Sequence, residues 1–166
     1  MIKLKNDVHC SSVWDDKMNK RYLFNKEWDK EKPQALVISK ASGIDDGIIQ
    51  TLTQLIITNN LPALGFGGFT LCNLIPSIGG KETDEANMKF IESEIKSSKH
   101  SSVILCWGSS EKFPEYLQDE IVAIIELLKK HSKKAYRISD GETDNFTHPL
   151  SPKVRAKFRL SEVELS

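Results

Sequence analysis

The residue types best suited to chemistry lie near the end of the chain, where a His-Pro turn precedes a basic segment. His148 stands in NFTHPLSP, and a loop histidine can donate a hydrogen bond to a developing anion near neutral pH. Lys153, Arg155 and Lys157 then alternate with apolar residues, and this period of two predicts a strand with one basic face. Such a face either protects a sheet edge from unwanted pairing or contacts phosphate groups.

A second group of candidates occupies the segment SKASGIDD, which follows an apolar run. Ser39, Lys40 and Ser42 can donate hydrogen bonds, and a loop that leads into a helix can bind an anion through backbone N–H groups. The alternative is an ordinary turn in which Asp45 or Asp46 caps the helix, and this is the commoner arrangement. The segment contains neither GxGxxG nor the phosphate-binding pattern GxxxxGK, so no nucleotide motif decides between the two.

Polar and small residues also end two other apolar runs. Asn73 needs hydrogen-bond partners if it is buried, so it can read the polar edge of a planar base or satisfy the backbone of a loop. Trp107 and Gly108 can line a pocket, because glycine permits close backbone approach, or they can be a core residue and a turn. Ser109, and Pro149 in the His-Pro turn, complete the candidate substrate contacts.

Short apolar strands alternate with helical segments along most of the chain. The predicted buried strands cover residues 34–40, 69–75, 101–108 and 133–139. Helices are predicted over residues 48–60, 88–99 and 116–132. The alternation predicts an α/β fold with three α/β/α layers and a central, mainly parallel four-stranded sheet. We expect residues 1–18 to form an arm or an edge strand and residues 19–166 to form a single α/β domain.

This architecture predicts where a ligand would bind. Ligands of open parallel sheets bind beyond the carboxyl ends of the strands. The four predicted strands end in KASG, NLIPS, WGSS and SDGETDNFTHPLS. All four segments are rich in glycine, proline and small polar residues, so we expect the candidate residues to share one rim of the sheet.

The composition argues against several classes of protein. Net charge is zero over 166 residues, so any contact with nucleic acid needs a local basic patch. Three separated cysteines without a CxxC pattern argue against a zinc site and fit a reducing compartment. No run reaches transmembrane length, and we expect a cytoplasmic protein with no membrane contact and no cofactor. The acidic residues that could in principle bind Mg²⁺ are Asp45, Asp46, Asp140, Glu142 and Asp144.

The ordered set of motifs resembles a bacterial family catalogued as domain of unknown function 1643. The matching segments are RYLFNKEWD, LVISKASGIDDGII, FTLCNLIPS, ILCWGSS and DGETDNFTHPLS. The family pattern begins R-x-L…W-D, continues with L-N-P-S-T, D-D-P-T-I, N-L and W-G, and closes with H-P-L. The resemblance covers roughly residues 20–152.

The same segments are more distantly similar to the uracil-DNA glycosylase superfamily. TLCN, LCWGS and HPLSP match its strand ending in asparagine, its later W-G and its late H-P-S-P-L-S loop. The resemblance implies a four-stranded parallel sheet in which Asn73 reads a flipped base and His148 stabilises charge on the departing base. Glycosylases carry a water-activating Asp or Asn after the first strand. Ser39 stands at that place here, and Asp45 or Asp46 is the candidate substitute.

Two main hypotheses follow. The first is a glycosylase-like protein with a nucleobase or nucleotide pocket at the carboxyl rim, which hydrolyses an N-glycosidic bond in DNA or in a nucleotide. The second is a non-catalytic module that uses this rim to bind a nucleotide, a nucleic acid or a protein partner, in bacterial defence or phage counter-defence. A metal-dependent hydrolase or phosphotransfer enzyme that uses the acidic residues is a third reading.

Overall fold

The structure, a computed structural model, describes residues 1–3, 5–142 and 145–165. The strands are β1 (His9–Trp14), β2 (Arg21–Glu27), β3 (Gln34–Ala41), β4 (Gly68–Ile75), β5 (His100–Leu105), β6 (Ala135–Ser139) and β7 (Arg159–Glu162). The helices are α1 (Leu52–Asn60), α2 (Glu85–Lys96) and α3 (Glu115–Lys130), and a 3₁₀ turn over Leu61–Leu64 follows α1. None of the helices in these ranges is long and apolar enough to cross a membrane.

All seven strands form one mixed sheet. Their order is β1-β2-β4-β3-β5-β6-β7. The four central strands β4, β3, β5 and β6 pair in parallel, whereas β1, β2 and β7 join through antiparallel pairs. The chain is α/β, but the predicted four-stranded, mainly parallel sheet of the three-layer architecture is wrong. The four-stranded sheet implied by the resemblance to glycosylases is corrected by the same finding.

The three antiparallel strands lack the apolar runs that predicted the central four. Four of the six β1 residues are histidine, cysteine or serine, and none of the six side chains is buried. β2 buries Arg21 and Lys26 among its apolar residues, and charged residues are rarely buried unless paired. β7 has four residues, which is too short for a periodic pattern to stand out.

Helices and loops cover both faces of the sheet. On one face, α2 and α3 bury Ile91, Ile95, Leu117, Ile124 and Leu128 against Leu36, Leu74 and Leu105. On the other face, α1 and the segment before β7 bury Ile56, Ile57, Leu61, Val154 and Phe158 against Val37, Leu71 and Ile104. Both faces of the central strands are therefore buried, which explains their continuous apolar runs.

Helix α1 begins four residues later than predicted. Thr51 caps it by accepting a hydrogen bond from the Gln54 N–H at 3.3 Å, so the predicted aspartate cap is wrong. Of the apolar residues at its start, Ile48, Leu52 and Leu55 are exposed, whereas Ile56 is buried.

The basic segment after the His-Pro turn is not the predicted strand. Residues 149–157 form successive turns, and the Val154 and Arg155 N–H groups both donate to the Ser151 carbonyl at 3.0 Å. The apolar residues at 154 and 158 are buried because they anchor these turns to the α1 face. β7 starts only at Arg159. The alternation of basic and apolar residues over 153–157 therefore does not correspond to a β-strand.

Candidate functional site

Lys40 and His148 converge at the carboxyl rim of the parallel strands. Lys40 is the second-to-last residue of β3 and is half-buried. Its Nζ lies 4.3 Å from the centre of the Phe113 ring. This cation–π contact holds a flexible side chain in one place. His148 comes from the loop after β6 and is close enough for the Lys40 ammonium to act on its charge. The rim thus combines a fixed cation with an imidazole.

The His148 ring is held in its neutral form. Burial lowers the pKa of His148 below its usual value, and the Lys40 ammonium lowers it further. The Leu150 N–H donates to His148 Nδ1 at 3.2 Å, so Nδ1 is an acceptor and the ring proton resides on Nε2. The side chain therefore offers a neutral N–H donor.

Gly108 lets the histidine loop approach the end of β5. Its φ of +83° lies in the left-handed region, and a Cβ at this position would lie 3.3 Å from the His148 Cβ. Any side chain would thus meet both backbone strain and contact with the loop. Gly108 is a positioning residue for His148, and the exposed Ser109 follows it on the rim.

Trp107 anchors the same loop from inside. It is 2% exposed, and its ring stacks on Phe146 with 5.7 Å between centroids and 22° between planes. Phe146 precedes His148 by two residues, and Pro149 is buried immediately after it. Trp107 and Pro149 therefore fix the loop rather than expose a surface for a ligand.

Asn73 belongs to a buried network that sequence reasoning missed. Its Oδ1 accepts from Arg21 Nη2 at 3.1 Å and from Ser42 Oγ at 3.0 Å, and its Nδ2 donates to the Ala41 carbonyl at 2.9 Å. Arg21 Nη1 also forms an ion pair with Asp45 Oδ2 at 2.8 Å, and both side chains are 1% exposed. Asn73 and Ser42 are thus engaged in holding the loop after β3.

One signal for this network was present in the sequence. RYLFNKE places an arginine at the start of an apolar strand, and Asp45 is the first of two consecutive aspartates. A buried arginine needs an acidic partner. The two aspartates are also typical of a helix cap, so the sequence does not single out the pairing of Asp45 with Arg21.

The two other predicted catalytic residues are also engaged in local structure. Ser39 is 2% exposed, and its hydroxyl is hydrogen-bonded to the Cys106 thiol, whose pKa burial raises to about 12. Asp46 is exposed, and its Oδ1 accepts from the Ile48 and Ile49 N–H groups at 2.9 and 2.7 Å. These backbone donors lower the pKa of Asp46 and make it a weaker base.

The predicted phosphate-contacting residues divide into two kinds. Lys153 Nζ lies 3.0 Å from Glu142 Oε2 and 3.5 Å from Asp140 Oδ2, so much of its charge is neutralised. Arg155 and Lys157 are exposed, and no ion pair joins either to a residue in the described ranges. Of the three predicted phosphate contacts, Arg155 and Lys157 therefore remain available to a polyanion.

Metal chemistry finds no support in residues 1–3, 5–142 and 145–165. They contain no group of three or more His, Cys, Asp or Glu side chains that could hold a metal ion. Asp45 is paired with Arg21 and Asp140 lies beside Lys153. Asp144, the remaining acidic candidate of the histidine loop, lies outside the described residues.

The fold and this rim define an α/β protein whose candidate site joins the ends of β3 and β5 to the histidine loop. Residues 21–150 match the model of the family described as "Protein of unknown function (DUF1643)", and the chain belongs to this family. The predicted membership is confirmed. The match runs from Arg21 through the His-Pro turn and leaves out the basic turns at 153–157. No curated protein and no solved structure gives a match.

Proposed function

We propose that the Lys40–His148 rim binds an anionic ligand that contains a nucleobase, either a nucleotide or a short length of nucleic acid. The observation that carries the proposal is the approach of a fixed ammonium to a neutral imidazole donor beside Gly108. An ammonium offers charge to a phosphate, and the Nε2–H offers a directed hydrogen bond to a phosphate or base oxygen.

Binding without turnover is the form of this function that the geometry supports best. Hydrolysis of an N-glycosidic bond needs a group that positions and activates water. Ser39 is buried against a thiol, and the Asp46 carboxylate is occupied by two backbone N–H groups. Ser39 is enclosed, and the pKa of Asp46 is lowered, so neither residue has the raised basicity of a general base.

Calorimetric titration of nucleoside monophosphates, nucleosides and free bases tests the binding proposal. Lys40→Met keeps the length and apolar stem of the side chain, and we expect it to weaken monophosphate binding by about tenfold or more while nucleosides change little. His148→Ala should weaken both classes by about tenfold because it removes a hydrogen bond. Lys130→Met, at the exposed end of α3, is the matched control and should bind like wild type.

The outcome that overturns the proposal is equally specific. If no nucleotide or single-stranded oligonucleotide binds, or if Lys40→Met binds all of them like the Lys130→Met control, the rim is not the site. His148→Gln keeps a donor near the Nε2 position and should retain binding within about threefold. Equal losses in the Gln and Ala variants would assign His148 a purely structural part.

Glycosidic hydrolysis is the second candidate function. The neutral His148 ring with its proton on Nε2 favours it, because such a donor can stabilise charge on a leaving base. In this reaction water attacks the anomeric carbon, the C–N bond breaks, and the base departs with the bond's electron pair. The attacking water loses a proton to solvent, and the departed base takes up a proton from solvent. Incubation with DNA that carries uracil or modified bases, and with nucleotides, should then release free base. An absence of abasic sites and of free base across the panel would leave binding alone.

A further inference from the structure

A cavity of about 490 Å³ lies on the α1 face of the sheet, away from the rim, and neither Lys40 nor His148 lines it. Its walls come from the segment before β1, from β1 and β2, and from α1 with its flanking turns. The residues that matter are Cys10, Lys26, Trp28, Gln50 and Thr58. The volume lies in the range of small-molecule sites in proteins.

The alternation of β2 places a lysine between aromatic residues on this face. Phe24, Lys26 and Trp28 occupy every second position, so their side chains project to the same side. Phe24 and Trp28 pack in the α1-side core. Lys26 therefore points its charge into an apolar neighbourhood instead of into solvent.

Lys26 is a buried cation without a carboxylate beside it in the described part of the chain. Lys26 is 6% exposed, and its Nζ donates to the neutral Gln50 Oε1 at 3.1 Å. Among residues 1–3, 5–142 and 145–165, no carboxylate forms an ion pair with it. A buried ammonium is costly unless an anion or several acceptors compensate it.

The wall of the cavity also contains a buried hydroxyl group. Thr58 Oγ1 is buried and has no hydrogen-bond partner within the described part of the chain. A helical threonine ordinarily donates to the carbonyl one turn earlier. The unpaired hydroxyl is therefore a second buried polar group in the wall of the cavity.

The remaining wall is flat and apolar. The Trp28 Nε1–H donates to the Phe66 carbonyl at 3.1 Å. This hydrogen bond fixes the indole, and the face of the ring remains able to contact neighbouring groups. Cys10 stands directly opposite Lys26 in the β1–β2 pair, so its side chain shares the same face. An occupant would touch an ammonium, a thiol and an indole.

We propose that this cavity binds a small organic anion, a carboxylate or phosphate monoester attached to an aromatic body. The anionic group pairs with Lys26, and the aromatic body packs on Trp28. This inference does not depend on the proposed function of the rim. The ligand is defined by its charge and its flat apolar part together.

Protection of Cys10 from alkylation is the direct test. Cys10 is exposed, whereas Cys72 and Cys106 are fully buried, so iodoacetamide reports on Cys10 in the native protein. We expect saturating phenyl phosphate or benzoate to slow alkylation of Cys10 by about tenfold, and neutral benzamide to leave it unchanged. Inorganic phosphate should protect less than phenyl phosphate at equal concentration, because it lacks the aromatic body.

Two lysine variants make the test decisive. Lys26→Met should abolish protection, measured as the ratio of rates with and without phenyl phosphate within each variant, whereas Lys40→Met should keep it. Calorimetry of wild type with phenyl phosphate and with benzamide gives the same comparison without any variant. The proposal is overturned if neither anion protects Cys10, if protection survives Lys26→Met, or if inorganic phosphate protects as well as phenyl phosphate.

Discussion

Two polar clusters occupy the end of β3 and differ in what they face. Ser42 belongs to the interior cluster with Arg21, Asp45 and Asn73, which is closed off from solvent. Lys40, two residues earlier, belongs to the rim with His148 and is half-buried. The interior cluster satisfies its own charges and hydrogen bonds, whereas the rim keeps a cation and a donor available to a ligand.

This difference assigns separate tasks to residues that look alike in the sequence. The interior cluster ties the loop after β3 to the start of β2 and the end of β4, so it sets the path of the backbone that carries Lys40. The rim depends on that path but contributes little to it. Substitutions in the interior should therefore act on stability, and substitutions in the rim should act on binding.

The largest expected effect comes from breaking the interior ion pair. Asp45→Ala leaves the Arg21 guanidinium buried without its carboxylate, and we expect it to lower the free energy of unfolding by about 3–5 kcal/mol. Asp46→Ala is the matched control. It removes only exposed hydrogen bonds to backbone N–H groups and should cost about 1 kcal/mol. Urea denaturation measures both, and equal losses in the two variants would refute the distinction.

A smaller effect is expected at Gly108, where two alanine variants can distinguish backbone strain from contact with His148. Gly108→Ala and Gly65→Ala both place a Cβ at positive φ, and each should cost about 1 kcal/mol of stability. The added methyl group at 108 meets His148, whereas the one at 65 meets nothing within 4 Å. Only Gly108→Ala should weaken ligand binding. Equal binding by the two alanine variants would show that the close approach of loop and glycine has no part in the site.

The rim should also give stability a dependence on pH. The pKa of His148 is lowered in the folded protein, so below about pH 6.5 the unfolded chain binds more protons than the folded one. The free energy of unfolding should therefore fall as the pH drops through this range. His148→Gln should reduce that fall, and Lys40→Met should reduce it in part by removing one of the two causes. Denaturation of the three proteins at pH 7.5 and 5.5 measures the difference.

The smallest expected effect concerns the basic turns. Arg155 and Lys157 are exposed, whereas Lys153 has acidic neighbours. If single-stranded nucleic acid contacts the turns, Arg155→Ala with Lys157→Ala should reduce the slope of log affinity against log salt by about 1.4, and Lys153→Ala should change it little. An equal change from Lys153→Ala would show that its ion pairs do not withhold its charge.

The sequence predicted the centre of the fold better than its edges. The central strands carry continuous apolar runs because both faces are covered, and they lie within a few residues of their predicted bounds. β1 and β7 have short or polar sequences, so their pairing depends on tertiary context that no local pattern records. The late start of α1 has a comparable cause, since Asp45 is drawn to Arg21 and Asp46 closes a separate turn before Thr51 can cap the helix.

The sequence predicted which rim of the sheet would carry the candidate residues, but not which of these residues would be engaged in structural contacts. The carboxyl ends of the parallel strands pointed to the rim, and Lys40 and His148 meet there. Sequence alone treats Asn73 and Lys40 as similar polar residues at strand ends. Only the structure shows that the Asn73 side chain is hydrogen-bonded to Arg21, Ser42 and Ala41.

The most direct test of the central claim is the pKa of His148, measured by NMR from the ring proton with and without a nucleoside monophosphate. The free protein should give a pKa below 6.5, as burial and Lys40 require. A phosphate bound at Lys40 offsets the ammonium and favours the imidazolium, so the pKa should rise in the complex. A nucleotide that binds while the pKa of His148 stays the same would contradict the account and place the ligand elsewhere.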